Sequence, residues 1–108
     1  MNAVKASKEG YIKALDGIER KTLVHGQRTL LTEFRLEGGR VLPMHSHPQE
    51  QTGYLVSGHI ALTIDGTEYG ICKSDAWIIP AGVPHGARII EDSVAIEVFS
   101  PVREDYLP

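Results

Sequence analysis

Apolar and polar residues alternate in short runs along this chain, and Gly, Pro and Asp interrupt them about every ten residues, the rhythm of an all-β sandwich or barrel. Helix-period signals are weak. The alternation predicts strands over residues 11–15, 19–25, 28–36, 41–47, 51–57, 59–64, 67–72, 76–80, 85–90 and 93–99. In the run from His59, Ile60, Leu62 and Ile64 share one face. In the last run Val94, Ile96 and Val98 share one face, which leaves Ala95, Glu97 and Phe99 on the other. Asp65-Gly66 between two alternating runs predicts a two-residue hairpin, because a type I′ turn needs positive φ at both central positions. Ser57-Gly58-His59, Gly38-Gly39 and Glu91-Asp92 read as the other turns, and no internal repeat or low-complexity segment is visible.

At 108 residues the chain is expected to form one domain over its whole length, 1–108, with about the first ten residues as a flexible N-terminal arm. Lys plus Arg number 11 and Asp plus Glu 14, a formal net charge of −3 scattered without blocks, so no nucleic-acid footprint is present. The start of the chain lacks the apolar run of a secretory signal, and no stretch reaches the length of a bilayer span. A cytoplasmic protein with neither nucleic acid nor membrane as partner is expected. The lone cysteine, Cys72, cannot form an internal disulfide, which is consistent with a reducing compartment.

Three of the five histidines, His45, His47 and His85, fall in two short strand-like contexts. In an extended strand residues i and i+2 point to one face with Cα atoms roughly 6.5 Å apart. Two imidazoles so spaced can close on one ion at about 2.1 Å per bond. A nitrogen from His85 and the side-chain oxygen of Gln51 would complete a mixed N/O shell suited to a borderline divalent metal, Ni, Zn, Fe or Mn. Glu50 could replace Gln51 only if the intervening turn were one residue shorter, which would flip Gln51 outward. Three neutral imidazoles and a carboxamide leave the ion's charge uncompensated. Such a shell favours anionic oxygen ligands and Lewis-acid work over oxygen-activating redox chemistry.

The spacing resembles the cupin superfamily, whose first motif has the form G-x5-H-x-H-x3/4-E-x6-G and whose second has the form G-x5-P-x-G-x2-H-x3-N. Gly39, His45, His47 and Gly58 match the first, and Pro80, Gly82 and His85 match the second. Gln51 stands where the glutamate is usual, Ser74 where the second motif opens with glycine, and Ile89 at its last asparagine. The resemblance implies a single-domain cupin fold, a jelly-roll-like double-stranded β-barrel. Within the superfamily, the run from His45 to Gln51 and the closing residues from Val98 to Leu107 resemble the KdgF family of pectin degradation proteins, small cupins of uronate catabolism. That resemblance implies a metal shell of His45, His47, Gln51 and His85. It also implies a pocket in which Glu97 moves a proton, Phe99 walls the sugar and Arg103 holds a carboxylate. Glu97 is one methylene longer than the aspartate of the family pattern.

The expected function is conversion of the ring form of 4,5-unsaturated monouronates to the linear keto form, with a small anionic sugar-derived substrate. A dioxygenase-type cupin and a non-catalytic sugar-acid binding module are the alternatives. The strand over 11–15 offers an edge that could pair across a two-fold axis, so a homodimer is expected. Cys72 reads as a small buried filler, Trp77 as core or intersubunit packing, and His25 and His59 as surface residues. Asp105 and Tyr106 read as surface or docking positions.

Overall fold

The computed structural model describes residues 3–108. In chain order it comprises β1 (Ile12–Leu15), β2 (Ile18–His25), β3 (Leu30–Leu36), β4 (Val41–His45), β5 (Glu50–Ile64), β6 (Thr67–Cys72), β7 (Ala76–Ile79), β8 (His85–Ser100) and a 3-10 turn, Glu104–Tyr106. Part of the expected N-terminal arm, residues 1 and 2, lies outside the described residues. Residues 3–10 carry no strand or helix, are exposed, and are tied to β2 where Lys21 Nζ donates to the Ser7 carbonyl at 3.1 Å.

Two expected turns are absent. Ser57-Gly58-His59 lies inside β5, and Glu91-Asp92 lies inside β8, so each pair of predicted runs is one long strand. The ladder between these strands shifts register at Leu55/Ser57, Ser57/His59 and His59/Ile60, so the interruptions are bulges that bend a continuous strand. Gly58 takes φ +99°, and a Cβ there would lie 2.1 Å from Ser93 Oγ. The Ser93 hydroxyl accepts from the His59 N–H at 3.0 Å and donates to the Glu91 carbonyl at 2.7 Å, which binds the two bends together. Asp65-Gly66 does form the β5–β6 hairpin turn, with φ of 49° and 81°.

The strands form one open eight-stranded sheet in the order β1-β2-β3-β8-β5-β6, with β4 added on β8 and β7 on β5. This corrects the expected double-stranded β-barrel. Among the described residues no ladder joins β6 back to β1, so the sheet does not close. The reason lies in the two long strands. The first half of β5 pairs with β7 and its second half with β6, while β8 pairs with β4 at its start and β3 at its end. β5 and β8 pair with each other along nearly their whole lengths. Two leaves therefore share two bent strands within a single sheet, rather than existing as two sheets sealed at their edges.

The core lies between the leaves. Leu36, Leu55 and Ile79 from one leaf meet Ile60, Leu62, Ile71, Ala87 and Ile89 from the other. Burial of a side chain such as Leu55 or Phe99, at 0% and 1% exposure, contributes about 1.5–3 kcal/mol. On the second half of β8 the buried phase is Ala95, Glu97 and Phe99, and Val94, Ile96 and Val98 are only half-buried. The inner wall thus carries a carboxyl group.

Candidate metal centre

His45 ends β4 and stands opposite His85, the first residue of β8. His47 lies two residues beyond the strand rather than on it, and the chain turns there into β5, whose second residue is Gln51. The His45 and His85 rings are 4.2 Å apart between centroids, His47 and His85 4.9 Å, and His45 and His47 5.9 Å. One ring nitrogen from each lies within 4.8 Å of the others.

The backbone decides which nitrogens face inward. Nδ1 of His45 donates to the Pro43 carbonyl at 2.8 Å, Nδ1 of His47 to that of Gln49 at 3.0 Å, and Nδ1 of His85 to that of Val83 at 2.9 Å. Each Nε2 is then left with a lone pair, the tautomer a metal ligand requires. Nε2 of His85 is buried without a hydrogen-bond partner. Nε2 of His47 and Oε1 of Gln51 lie 2.8 Å apart. Two lone-pair acceptors at that separation repel unless a cation or a proton lies between them. Burial, followed by the charge of Arg103, holds the His47 imidazole below its ordinary pKa, and burial pushes His85 down to about 4. Protonation is therefore disfavoured, and the donor set fits a divalent metal ion. His45, His47 and His85 are able to coordinate one, and the Gln51 oxygen is placed to join them.

Glu97, Phe99 and Arg103 line the same small cavity as His45, Gln51 and His85, with a volume of about 60 Å³. Glu97 sits across from Gly53 on β5, and Trp77 on β7 sits across from Gly53 on its other side. With no side chain at Gly53, the indole leans over the strand and Trp77 Nε1 donates to Glu97 Oε1 at 3.2 Å. Burial drives the Glu97 carboxyl up to about 7, against the opposing pull of hydrogen bonds from Gln51 and Trp77 and the charge of Arg103. Phe99 is fully buried, its ring edge-on to His47 at 5.6 Å. The Arg103 guanidinium lies 5.0 Å above the Phe99 ring, and both its Nε and Nη2 contact Asp105, at 3.3 and 2.9 Å.

Sequence reasoning assigned no site role to Trp77, Tyr106 or Arg20. Trp77 is the neighbour of Glu97. Tyr106, read as surface or docking, instead lines the cavity, packs edge-on against Phe99 at 5.4 Å, and has Arg20 4.0 Å above its ring. The alternating inward phase of Trp77 and Ile79 on one short strand was the available signal for the first. The other two depend on how the C-terminal turn folds back, which no local pattern encodes.

A folded all-β sheet with a histidine-rich metal centre at one end defines a class, the metal-binding cupins. The cupin domain family matches residues 32–100, from within β3 to the end of β8, and the chain belongs to that family. The pectin degradation protein KdgF of Dickeya dadantii (strain 3937) is 29% identical over 94 residues, covering 85% of this chain and 86% of that protein. The solved structure of KdgF from Halomonas sp. matches with a TM-score of 0.87 at 30% identity, over 93% of both chains. An RmlC-like cupin from Shewanella frigidimarina matches with a TM-score of 0.91 at 23% identity, over 99% of this chain and 97% of that one, a likeness of fold. This chain is a metal-binding cupin structurally close to KdgF.

Proposed function

We propose that this cupin is a metal-dependent enzyme that converts the ring form of 4,5-unsaturated monouronates, from pectin or alginate breakdown, to the linear keto form. The observation that carries the reading is Glu97. It is a buried carboxyl with a pKa of about 7, set between Gln51 and Trp77 in the cavity that Arg103 and Phe99 also line. The likeness to the two KdgF proteins supports the substrate class.

Held by His45, His47, His85 and Gln51, a divalent transition metal ion would supply Lewis-acid polarisation of substrate oxygens. The reaction is an isomerisation, so the proton lost from the hemiacetal hydroxyl as the ring opens is balanced by one gained at carbon as the enol becomes a ketone. A single carboxyl that titrates near neutrality serves as base in the first step and acid in the second. Arg103 offers a two-pronged donor to the uronate carboxylate. Burial of the carboxyl sustains its raised pKa, while the Trp77 N–H orients it and pulls the other way.

The test is ultraviolet loss of the conjugated enol-acid absorbance on mixing metal-loaded protein with unsaturated galacturonate. Glu97→Gln should lower kcat by roughly 100-fold or more with little change in KM, because a proton-transfer group acts mainly in the transition state. Arg103→Ala should mainly raise KM, by about 2–3 kcal/mol for a lost charge-assisted pair. Full turnover in Glu97→Gln with metal bound removes the proton-transfer role. Oxygen uptake by the iron-loaded protein would instead indicate a dioxygenase-type reaction, and uronate binding without consumption a binding module.

A further inference from the structure

Two guanidinium groups face one tyrosine that lines the metal cavity. The Tyr106 ring has Arg20 Cζ 4.0 Å from its centroid and Arg103 Cζ 3.9 Å from it. Arg20 comes from β2 and Arg103 from the segment just after β8, so two distant parts of the chain converge on this ring. The turn that carries Tyr106 is pinned to β2, where Thr22 Oγ1 donates to the Tyr106 carbonyl. Asp105 in the same turn takes both prongs of Arg103. Among the described residues Arg20 makes no side-chain hydrogen bond or ion pair, and its contact is the face of the Tyr106 ring.

Charge and volume around this ring do not balance. Two guanidiniums face one carboxylate, which leaves a surplus positive charge beside a metal centre whose ligands are all neutral. Burial acts to raise the Asp105 carboxyl, yet the Arg103 fork and charge, with a further pull from Arg20, hold it below the usual carboxylate range. The cavity beneath the turn, at about 60 Å³, is small for a hexuronate. A sugar acid that reaches the metal must therefore take the place of groups that now line it. The Asp105 side chain is 61% exposed and Arg103 only 14%, so a ligand carboxylate that takes over the fork replaces one charge-assisted pair by another and leaves no guanidinium unpaired.

We propose that Arg20 and Arg103 together form the seat for the carboxylate and ring of a cyclic sugar acid, and that Asp105 and Tyr106 compete with the ligand for that seat. Asp105 stands where the ligand's carboxylate pairs with Arg103, and the flat Tyr106 ring, which both guanidiniums face, stands where the sugar ring enters. This rests on the uronate reading of the site and adds Arg20 to it as an anion-binding residue. Arg20 is the cation that gains an anionic partner on binding, since among the described residues no side-chain hydrogen bond or ion pair engages it.

Calorimetric titration of zinc-loaded protein with galacturonate, a saturated uronate that lacks the reacting double bond, tests the competition apart from turnover. Asp105→Asn should tighten galacturonate several-fold because the competing carboxylate is gone. Arg20→Gln should weaken it by about tenfold, the scale of one charge-assisted contact. Galactose, the neutral counterpart, should bind the variants and the parent protein alike. Arg20→Lys, which keeps charge without the flat fork, should fall between and serves if Arg20→Gln does not fold. Unchanged galacturonate affinity in Asp105→Asn or in the folded Arg20 variants overturns the proposal. So does an equal gain for galactose in Asp105→Asn, which would mean a merely loosened turn, or an absence of galacturonate binding altogether. If the affinities shift as expected but unsaturated uronate is not consumed, the seat stands and the enzymatic reading falls; turnover without the shifts gives the reverse.

Discussion

Glu97 and His85 occupy the same inner wall, and burial moves their titrations in opposite directions. Glu97 in the folded protein keeps a proton up to about pH 7, whereas the unfolded chain releases it near 4.5, so this group's stabilisation is full below 4.5 and lost as pH rises through 7. His85 refuses a proton until about pH 4, whereas the unfolded chain accepts one near 6.5, so its stabilisation is full above 6.5 and lost as pH falls toward 4. Between these values the slopes oppose. In metal-free protein, Glu97→Gln should therefore gain stability relative to the parent as pH rises from 4.5 to 7, as followed by urea denaturation at a series of pH values. Parallel curves would mean that Glu97 titrates normally. Gln51→Glu tests the charge of the shell. The carboxylate can still coordinate, so metal content should hold, while affinity for an anionic uronate should fall by about tenfold as one positive charge is cancelled. A rise in uronate affinity would refute the neutral-shell argument. At this scale the sequence was most legible where spacing alone matters. His45, His47, Gln51 and His85 follow from their separations, and the structure brings them together. Arg20 and Tyr106 were not legible, because their contact forms only when the chain's end returns to β2.

The elements show where pattern reading stops. Alternation found the strand content and the inward phase of β8, but a glycine within a strand and a glycine in a turn look alike in sequence. Gly58 was read as a strand end and is a bulge, and the same holds for the Glu91-Asp92 pair opposite it. The closed barrel failed for the same reason, since ten short strands suggest two sheets and two long bent ones give a single open sheet. Gly53 shows how an element serves the site. A Cβ there would lie 2.0 Å from Trp77 Cε2, so the indole must shift and its hydrogen bond to Glu97 must break. Gly53→Ala should lower stability by about 1–3 kcal/mol, the range of overpacking, and change the fluorescence of Trp77, the only tryptophan. An unchanged emission spectrum would show that the indole does not need the gap.

For the molecule as a whole, a ligand that binds only the folded state adds stability by mass action. Zinc or nickel at about a hundredfold excess over its dissociation constant should add about 2.7 kcal/mol, visible as a rise of several degrees in melting temperature. His85→Ala should abolish the rise. A full rise in that variant would place the metal elsewhere. The sharing of β5 and β8 by both leaves carries a further consequence for how the molecule opens. Neither leaf can separate without breaking the ladder that also supports the other. Amide hydrogens along the β5–β8 ladder should then exchange with deuterium at one common slow rate, whichever leaf they belong to. β1, paired on one side only and exposed along its length, should exchange far earlier. Gln51 on β5 and His85 on β8 inherit the slow class, whereas His45 ends β4, which is paired with β8 alone, so the site is framed on one side by the slow ladder and on the other by an edge that frays.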